Sequence, residues 1–183
     1  MSLGTRLGER DISIIIWGRR NSVNVQKVMW VIGELEISYE RYDVGGSFGT
    51  SGQYALINPQ KTVPTIQDGE LTLWESNACV RYLCKQYGDK FLWSEDPKLR
   101  ALADQWMDYQ SNVFSSTFLS IFINKVKLPP QEQDPIQADV SASHCGVLMT
   151  TLDSHFADKR YITGEEISMG DIPLGACMYR YFN

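Results

Sequence analysis

The sequence predicts an α/β domain followed by an all-α domain, and three features of its pattern support this. An apolar run at residues 12–17 has the length of a buried strand and precedes a helical pattern and a second strand-like segment. Asp68-Gly69 separates two short strand-like segments, which is typical of a β-hairpin. From Pro97 onward, apolar residues recur at helical spacing. The expected order is β-α-β-α-β-β-α with a mixed sheet, followed by helices.

The first half begins with a predicted parallel β-α-β unit. After the strand at residues 12–17, Ser22 and Asn24 can both cap a helix that runs to about Glu36. Residues 38–44 are expected to form the second strand. A glycine-rich loop and a short helix at residues 53–57 then lead to the hairpin.

The hairpin and the helix that follows it are predicted to form a binding site. Pro64 is expected to open the first hairpin strand, where a missing N–H is tolerated. Asp68 and Gly69 accept the positive φ angles of a two-residue turn. Glu75 and Ser76 lead into a helix, and the free N–H groups of a helix start favour a bound carboxylate.

The second half is predicted to be entirely helical. Pro97 opens a long helix that Pro129-Pro130 ends, and a second helix covers residues 136–156. Ser168 and Asp171 form a capping box for a third helix, in which Pro173 is expected just beyond the free donors, with a small local distortion. The domains predicted from these patterns are a disordered extension at 1–11, an α/β domain at 12–87, a linker at 88–96 and a helical domain at 97–183.

Composition excludes several classes of function. A net charge of −5 argues against a nucleic-acid backbone as the main partner. No apolar run is long enough to span a bilayer, and no signal peptide is expected. The four cysteines lack CxxC spacing and fall inside predicted helices, which indicates reduced core residues in a cytoplasmic protein without a metal site.

Four motifs in a fixed order resemble those of the cytosolic glutathione transferases. They are Asn58-Pro59, Val63-Pro64, Glu75-Ser76 and the cap from Ser168 to Asp171. The segments at 17–25 and 73–78 are most similar to serine-type bacterial members related to the theta and delta classes.

The resemblance implies a thioredoxin-like N-terminal domain that binds glutathione, and a homodimer. It implies a cis peptide bond between Val63 and Pro64, with the Val63 backbone paired to the cysteinyl part of glutathione and Glu75 and Ser76 holding the γ-glutamyl end. It also implies final helices beyond Asn183, so that the helical domain is expected to be incomplete in this sequence.

Thiol activation is the chemistry that the resemblance implies, with Ser22 as the hydroxyl that donates to the sulfur and Asn24 as the competing donor. A helix dipole contributes only about 0.3–1 kcal/mol to stabilising an anion, reaching about 2 kcal/mol in a sheltered site. A charge-assisted hydrogen bond adds about 1.5–3 kcal/mol. Together they lower a thiol pKa by about one and a half to three units. From position alone an ordinary N-cap is the favoured role of Ser22, and it is the resemblance that reverses this order.

Several other residues are candidates for contacts with glutathione or the electrophile. Gln53 is a candidate contact of the glycyl carboxylate of glutathione, with an exposed helix residue as an alternative of similar weight, and Thr62 is a further polar candidate beside the backbone contact. A candidate pocket for the electrophile is formed by Trp17, Arg20, Trp106, Met107 and Phe114, for which core packing or solvation is the alternative.

The expected activity is conjugation or dehalogenation of small electrophiles with glutathione as cosubstrate. The alternatives are a glutathione-dependent thiol or disulfide reductase and a non-catalytic member that binds glutathione or a protein. A dithiol reductase needs an attacking cysteine, and no cysteine lies near residue 22.

Overall fold

The computed structural model describes residues 14–182, which form two compact units, one ending at Cys79 and the other beginning at Val80. The predicted extension at 1–11 and the first two residues of the predicted first strand lie outside the described residues. None of the described helices combines the length and apolar character needed to cross a bilayer.

The first unit contains a four-stranded mixed sheet. Its elements are β1 (Ile14–Trp17), α1 (Val23–Glu34), β2 (Tyr39–Tyr42), α2 (Gln53–Ile57), β3 (Thr65–Asp68), β4 (Leu71–Trp74) and the start of α3 (Ser76–Tyr87). The strand order is β2-β1-β3-β4. β1 and β2 are parallel, whereas β3 is antiparallel to both β1 and β4. The predicted mixed sheet and its β-α-β-α-β-β-α order are therefore confirmed.

Apolar residues of β1 and α1 supply much of the core of this unit. Ile14 and Ile16 are fully buried because alternate strand residues face one side of the sheet. On α1, Val25, Val28 and Val31 are also fully buried at helical spacing. This packing fixes the loop between β1 and α1, where Ser22 lies.

Two predicted boundaries in the first unit were wrong. β2 covers Tyr39–Tyr42 rather than residues 38–44. The hairpin turn consists of Gly69 and Glu70, because Asp68 still pairs with Leu71 in the ladder. Gly69 takes a positive φ of 57°, so the glycine occupies the first turn position instead of the second.

The second unit is helical, as predicted. After the rest of α3 come α4 (Pro97–Tyr109), α5 (Ser115–Phe122), α6 (Pro135–Phe156) and α7 (Asp171–Phe182). α4 packs against α7, and α5 packs against α6. Residues 88–96, predicted to be a linker, include the buried Leu92, whose carbonyl accepts a hydrogen bond from the Met169 N–H at 2.9 Å.

The predicted long helix from Pro97 is interrupted. Two π-helical segments, Gln110–Phe114 and Ile123–Lys127, flank α5. Apolar spacing cannot reveal them, since a single wider turn leaves the apolar pattern on each side intact.

The third predicted helix, α7, begins at Asp171, so Pro173 lies in its first turn. The Asp171 carboxylate accepts hydrogen bonds from the Ser168 N–H at 2.8 Å and the Ser168 hydroxyl at 2.9 Å, which is one half of the predicted capping box. The Ser168 hydroxyl oxygen accepts the Gly170 N–H at 3.3 Å instead of the Asp171 N–H, which donates to the Ser168 carbonyl at 3.0 Å. Because α7 starts at Asp171, Pro173 is its third residue, where the N–H has no acceptor within the helix. The predicted position of Pro173, just beyond the free donors, was therefore wrong.

Candidate functional site

Ser22 occupies the N-cap position of α1 but does not cap the helix with its side chain. Its backbone is extended, and its carbonyl accepts the Gln26 N–H at 2.9 Å. The residue is only 8% exposed, yet within residues 14–182 its hydroxyl makes no hydrogen bond. A sheltered hydroxyl at a positive helix end is thus available to an external acceptor.

Asn24, the competing donor, is the second residue of α1 and is exposed. An exposed amide is well hydrated, so a hydrogen bond from it contributes less to a bound anion than one from a sheltered hydroxyl. The geometry therefore favours Ser22 over Asn24.

The loop before β3 is held in shape by two buried polar side chains. The Asn58 amide donates to the Thr62 carbonyl at 3.1 Å and to the Thr65 hydroxyl at 3.0 Å, and it accepts the Gln60 N–H at 2.9 Å. The Tyr54 hydroxyl also donates to the Thr62 carbonyl. These contacts fix the backbone immediately before Val63.

The Val63–Pro64 peptide bond is cis, as the resemblance implied. Among the described residues, the N–H and C=O of Val63 take part in no hydrogen bond. An extended peptide laid against this residue would find both a donor and an acceptor. Thr62 itself is exposed, and its carbonyl is already engaged by Asn58.

The start of α3 brings together Glu75, Ser76 and a residue that the sequence analysis missed. Glu75 is exposed and has a φ of 70°, a left-handed conformation that is rare outside glycine. Ser76 is 6% exposed. The ammonium group of Lys27 lies 3.4 Å from the Ser76 hydroxyl and 3.2 Å from the Asn77 side-chain oxygen, and donates to both.

Lys27 is only 3% exposed although it belongs to an amphipathic helix. Its position four residues before the buried Val31 would have placed it on the apolar face of α1, which was the available signal. Because an ammonium group can only donate, it occupies a lone pair of the Ser76 hydroxyl and leaves that hydroxyl's own proton for another acceptor.

Two candidate pocket residues of the first unit have partners within the unit. The Trp17 ring stacks on Tyr42 with centroids 4.9 Å apart, and its N–H donates to the Gln67 side chain at 2.8 Å. Arg20 is exposed and near Asp43, whose pKa is lowered chiefly by its hydrogen bond to Arg41 and further by the charge of Arg20. Trp17 thus has the contacts of a packing residue, and Arg20 has those of a surface residue.

The other three candidate pocket residues belong to the helical unit. Trp106 is 8% exposed and packs on His155 with ring centroids 4.4 Å apart, while Met107 and Phe114 are fully buried. Their burial is that of core residues of this unit. Gln53, the first residue of the short α2, is exposed.

The cysteines do not offer a nucleophile. Within residues 14–182 the cysteines are buried and form no disulfide, as predicted; they are Cys79, Cys84, Cys145 and Cys177. Burial raises the pKa of both Cys79 and Cys84 to about 12, and it also raises the pKa of Cys145. The structure therefore gives no support to a dithiol reductase. Within residues 14–182, no three His, Cys, Asp or Glu side chains are grouped to hold a metal ion.

Comparison with known proteins decides the family. A family model described as glutathione S-transferase, N-terminal domain, matches residues 12–85. Glutathione S-transferase GstB of Escherichia coli K12 is 40% identical over 174 residues, covering 93% of this chain and 84% of that protein. The chain belongs to the glutathione S-transferase family.

Two theta-class glutathione S-transferases are also similar. One, from the citrus canker pathogen Xanthomonas axonopodis pv. citri, was solved with glutathione bound; it is 41% identical, with a TM-score of 0.89, and the match covers 94% of this chain and 84% of that chain. Human glutathione S-transferase theta-1 is 31% identical over 127 residues, which cover 67% of this chain and 53% of that protein. These findings confirm both the predicted resemblance and the thioredoxin-like domain followed by helices.

Proposed function

We propose that this glutathione S-transferase family member binds glutathione in its first unit and activates the thiol for attack on a small electrophile. In the proposed arrangement, the Ser22 hydroxyl donates a hydrogen bond to the thiolate. The Val63 backbone pairs with the cysteinyl part of glutathione. The γ-glutamyl end lies at Glu75 and Ser76. The observation that carries this proposal is the sheltered Ser22 hydroxyl, which is at a helix start and makes no hydrogen bond within the described residues.

The proposed chemistry is nucleophilic substitution. A free thiol with a pKa of about 8.5 is mostly protonated at neutral pH, so a lower pKa raises the fraction of reactive thiolate. The thiolate attacks the electrophilic carbon, the new C–S bond forms, and the carbon–halogen bond breaks with its electron pair leaving on the halide. Holding both reactants together supplies a further rate enhancement.

Ser22→Ala tests the assignment. We expect the pKa of bound glutathione to rise by about one to two units, because a charge-assisted hydrogen bond of about 1.5–3 kcal/mol is removed. Turnover of a chlorodinitrobenzene substrate at neutral pH should fall by about 10- to 100-fold, and much of the loss should return at higher pH. Ultraviolet titration of the enzyme-bound thiol and a pH–rate profile measure both effects.

Ser38→Ala is the matched control, since Ser38 is exposed and precedes β2 at the opposite end of the sheet. Asn24→Ala tests the competing donor. If Ser22→Ala leaves both the thiol pKa and turnover unchanged, Ser22 does not activate the thiol. If the wild-type protein binds glutathione but turns over no electrophile, the non-catalytic alternative holds.

We also propose that Gln53 and Thr62 border the glutathione and that the chain works as a homodimer, as the family resemblance implies. Arg20, Trp17, Trp106, Met107 and Phe114 remain candidates for the electrophile pocket, although the contacts of each within its own unit favour packing or solvation. Light scattering of the purified protein gives the oligomeric state directly.

A further inference from the structure

Arg19 lies two residues after the end of β1, and its side chain is next to Gly45 and Gly46. A Cβ added to Gly45 would lie 2.9 Å from the Arg19 Nη1 atom and 3.1 Å from the Val63 Cγ1 atom. One added to Gly46 would lie 3.0 Å from Nε and 3.1 Å from Cδ of Arg19. The Arg19 side chain therefore occupies space that only glycine leaves open, and it shares that space with the side chain of Val63.

Both glycines also have left-handed backbone conformations, with φ angles of 84° and 59°. Any other residue at these positions would be strained as well as crowded. The Arg19 carbonyl accepts the Ser22 N–H at 3.2 Å, which ties the same residue to the β1–α1 loop. The guanidinium thus lies beside the glycine pair and Val63, and the Arg19 main chain is tied to the β1–α1 loop.

The Arg19 guanidinium nevertheless has no hydrogen-bond or ion-pair partner within residues 14–182, although the residue is partly buried. Its neighbours differ from it in this respect. Arg41 pairs with Asp43 at 2.5 Å and donates to the Gly18 carbonyl at 2.6 Å. Arg20 presents its charge to the same Asp43. A positioned guanidinium that lacks an acceptor is suited to binding a carboxylate.

The segment that borders Val63 offers one other cation, Lys61, which is exposed and so presents a hydrated ammonium group, whereas Arg19 is partly buried. Residues 44–60, which include the glycine pair and α2, contain neither lysine nor arginine. Glutathione carries a carboxylate at each end, and the proposed function places one of them at the start of α3, near Lys27. If its cysteinyl part pairs with Val63, the glycyl carboxylate lies beyond Val63, on the side away from α3, and needs a cation there.

We infer that Arg19 is the residue that binds the glycyl carboxylate of glutathione, with the Gly45-Gly46 pair as the support that orients its guanidinium. This inference rests on the proposed function, because it requires glutathione to pair with Val63. It assigns a different role to each of two adjacent arginines: Arg19 binds the ligand, and Arg20 belongs to the surface cluster around Asp43.

The test compares two ligands, glutathione and its glycine ethyl ester, in which the glycyl end is neutral. Isothermal titration calorimetry measures both dissociation constants for wild type, Arg19→Gln, Arg19→Lys and Arg20→Gln. Arg19→Gln should weaken glutathione binding by about 10- to 100-fold and leave ester binding nearly unchanged. Arg19→Lys should be intermediate, since lysine keeps the charge but loses the planar fork. Arg20→Gln should preserve the preference of wild type for glutathione over the ester.

Four results would overturn the inference. If Arg19→Gln weakens the binding of both ligands equally, Arg19 has a structural role only. If it raises the pKa of the bound thiol, the charge of Arg19 acts at the sulfur instead of the glycyl carboxylate. If wild type binds both ligands equally, this inference alone fails, whereas binding of neither ligand defeats the proposed function as well. Thermal unfolding of each variant checks that the fold is retained.

Discussion

At the scale of single residues, the first unit separates side chains that shape the site from those that face a ligand. Asn58 is fully buried, and its side-chain amide donates to Thr62 and Thr65 and accepts from the Gln60 N–H. Ser22 is nearly as buried but keeps its hydroxyl unengaged within the described residues. The contrast separates a side chain that shapes the loop from a hydroxyl that can meet an external acceptor.

Lys27 provides the residue-scale prediction. Its buried ammonium donates to the Ser76 hydroxyl and adds positive charge at the start of α3. Lys27→Met should raise the dissociation constant of glutathione by about tenfold, the loss expected from one charge-assisted hydrogen bond. Binding of cysteinylglycine, which lacks the γ-glutamyl group, should change little, and calorimetry with both ligands measures this. A similar loss for both ligands would mean that Lys27 supports only the fold.

At the scale of elements, helix ends account for much of what the sequence predicted correctly. Ser168 and Asp171 are close in sequence, and their hydrogen bonds form between neighbours, so the pattern is visible in the sequence itself. The hairpin turn was shifted by one residue because Asp68-Gly69 and Gly69-Glu70 both place a glycine where φ is positive. Local patterns therefore predicted the elements better than their exact bounds.

Two glycines give the prediction at this scale. Gly146, within α6, has open space around its missing side chain, whereas a Cβ at Gly88 would press against the backbone carbonyls of Cys84 and Phe91. Gly146→Ala should stabilise the protein by about 0.5–1 kcal/mol through helix propensity. Gly88→Ala should instead destabilise it by about 1–3 kcal/mol, the usual cost of overpacking. Urea unfolding of both variants tests the pair, and equal effects would contradict this account of their surroundings.

At the scale of the whole molecule, the sequence predicted the two-part architecture but not the contacts that build the site. The Lys27–Ser76 contact joins residues 49 positions apart, and Arg19 meets Gly45 and Val63 only in the folded unit. No local spacing encodes such contacts. The motifs at Val63-Pro64 and Glu75-Ser76 were found because they resemble those of a known family. Arg19 lies in the 17–25 segment that shares this resemblance, but its contacts with Gly45 and Val63 are not local, and Lys27 lies outside every motif.

The buried thiols predict how stability of the whole molecule depends on pH. Burial raises the pKa of Cys79 and Cys84 to about 12, and in the unfolded chain a thiol titrates near 8.5. A pKa that is higher in the folded state stabilises the protein fully below the unfolded value, and this stabilisation is lost as pH rises from about 8.5 towards 12. Each thiol should therefore cost about 1–2 kcal/mol of unfolding free energy between pH 7.5 and pH 10.

Urea unfolding at both pH values, with the double variant Cys79→Ala/Cys84→Ala as the comparison, measures this cost. The double variant will be less stable at neutral pH because it leaves cavities, but its loss of stability at pH 10 should be smaller than that of wild type. Val28→Ala is the matched control, since Val28 is equally buried and does not titrate. It should lower stability without changing the pH dependence. If the double variant loses as much stability at pH 10 as wild type does, other groups cause the alkaline destabilisation, and the two thiols have no special part in it.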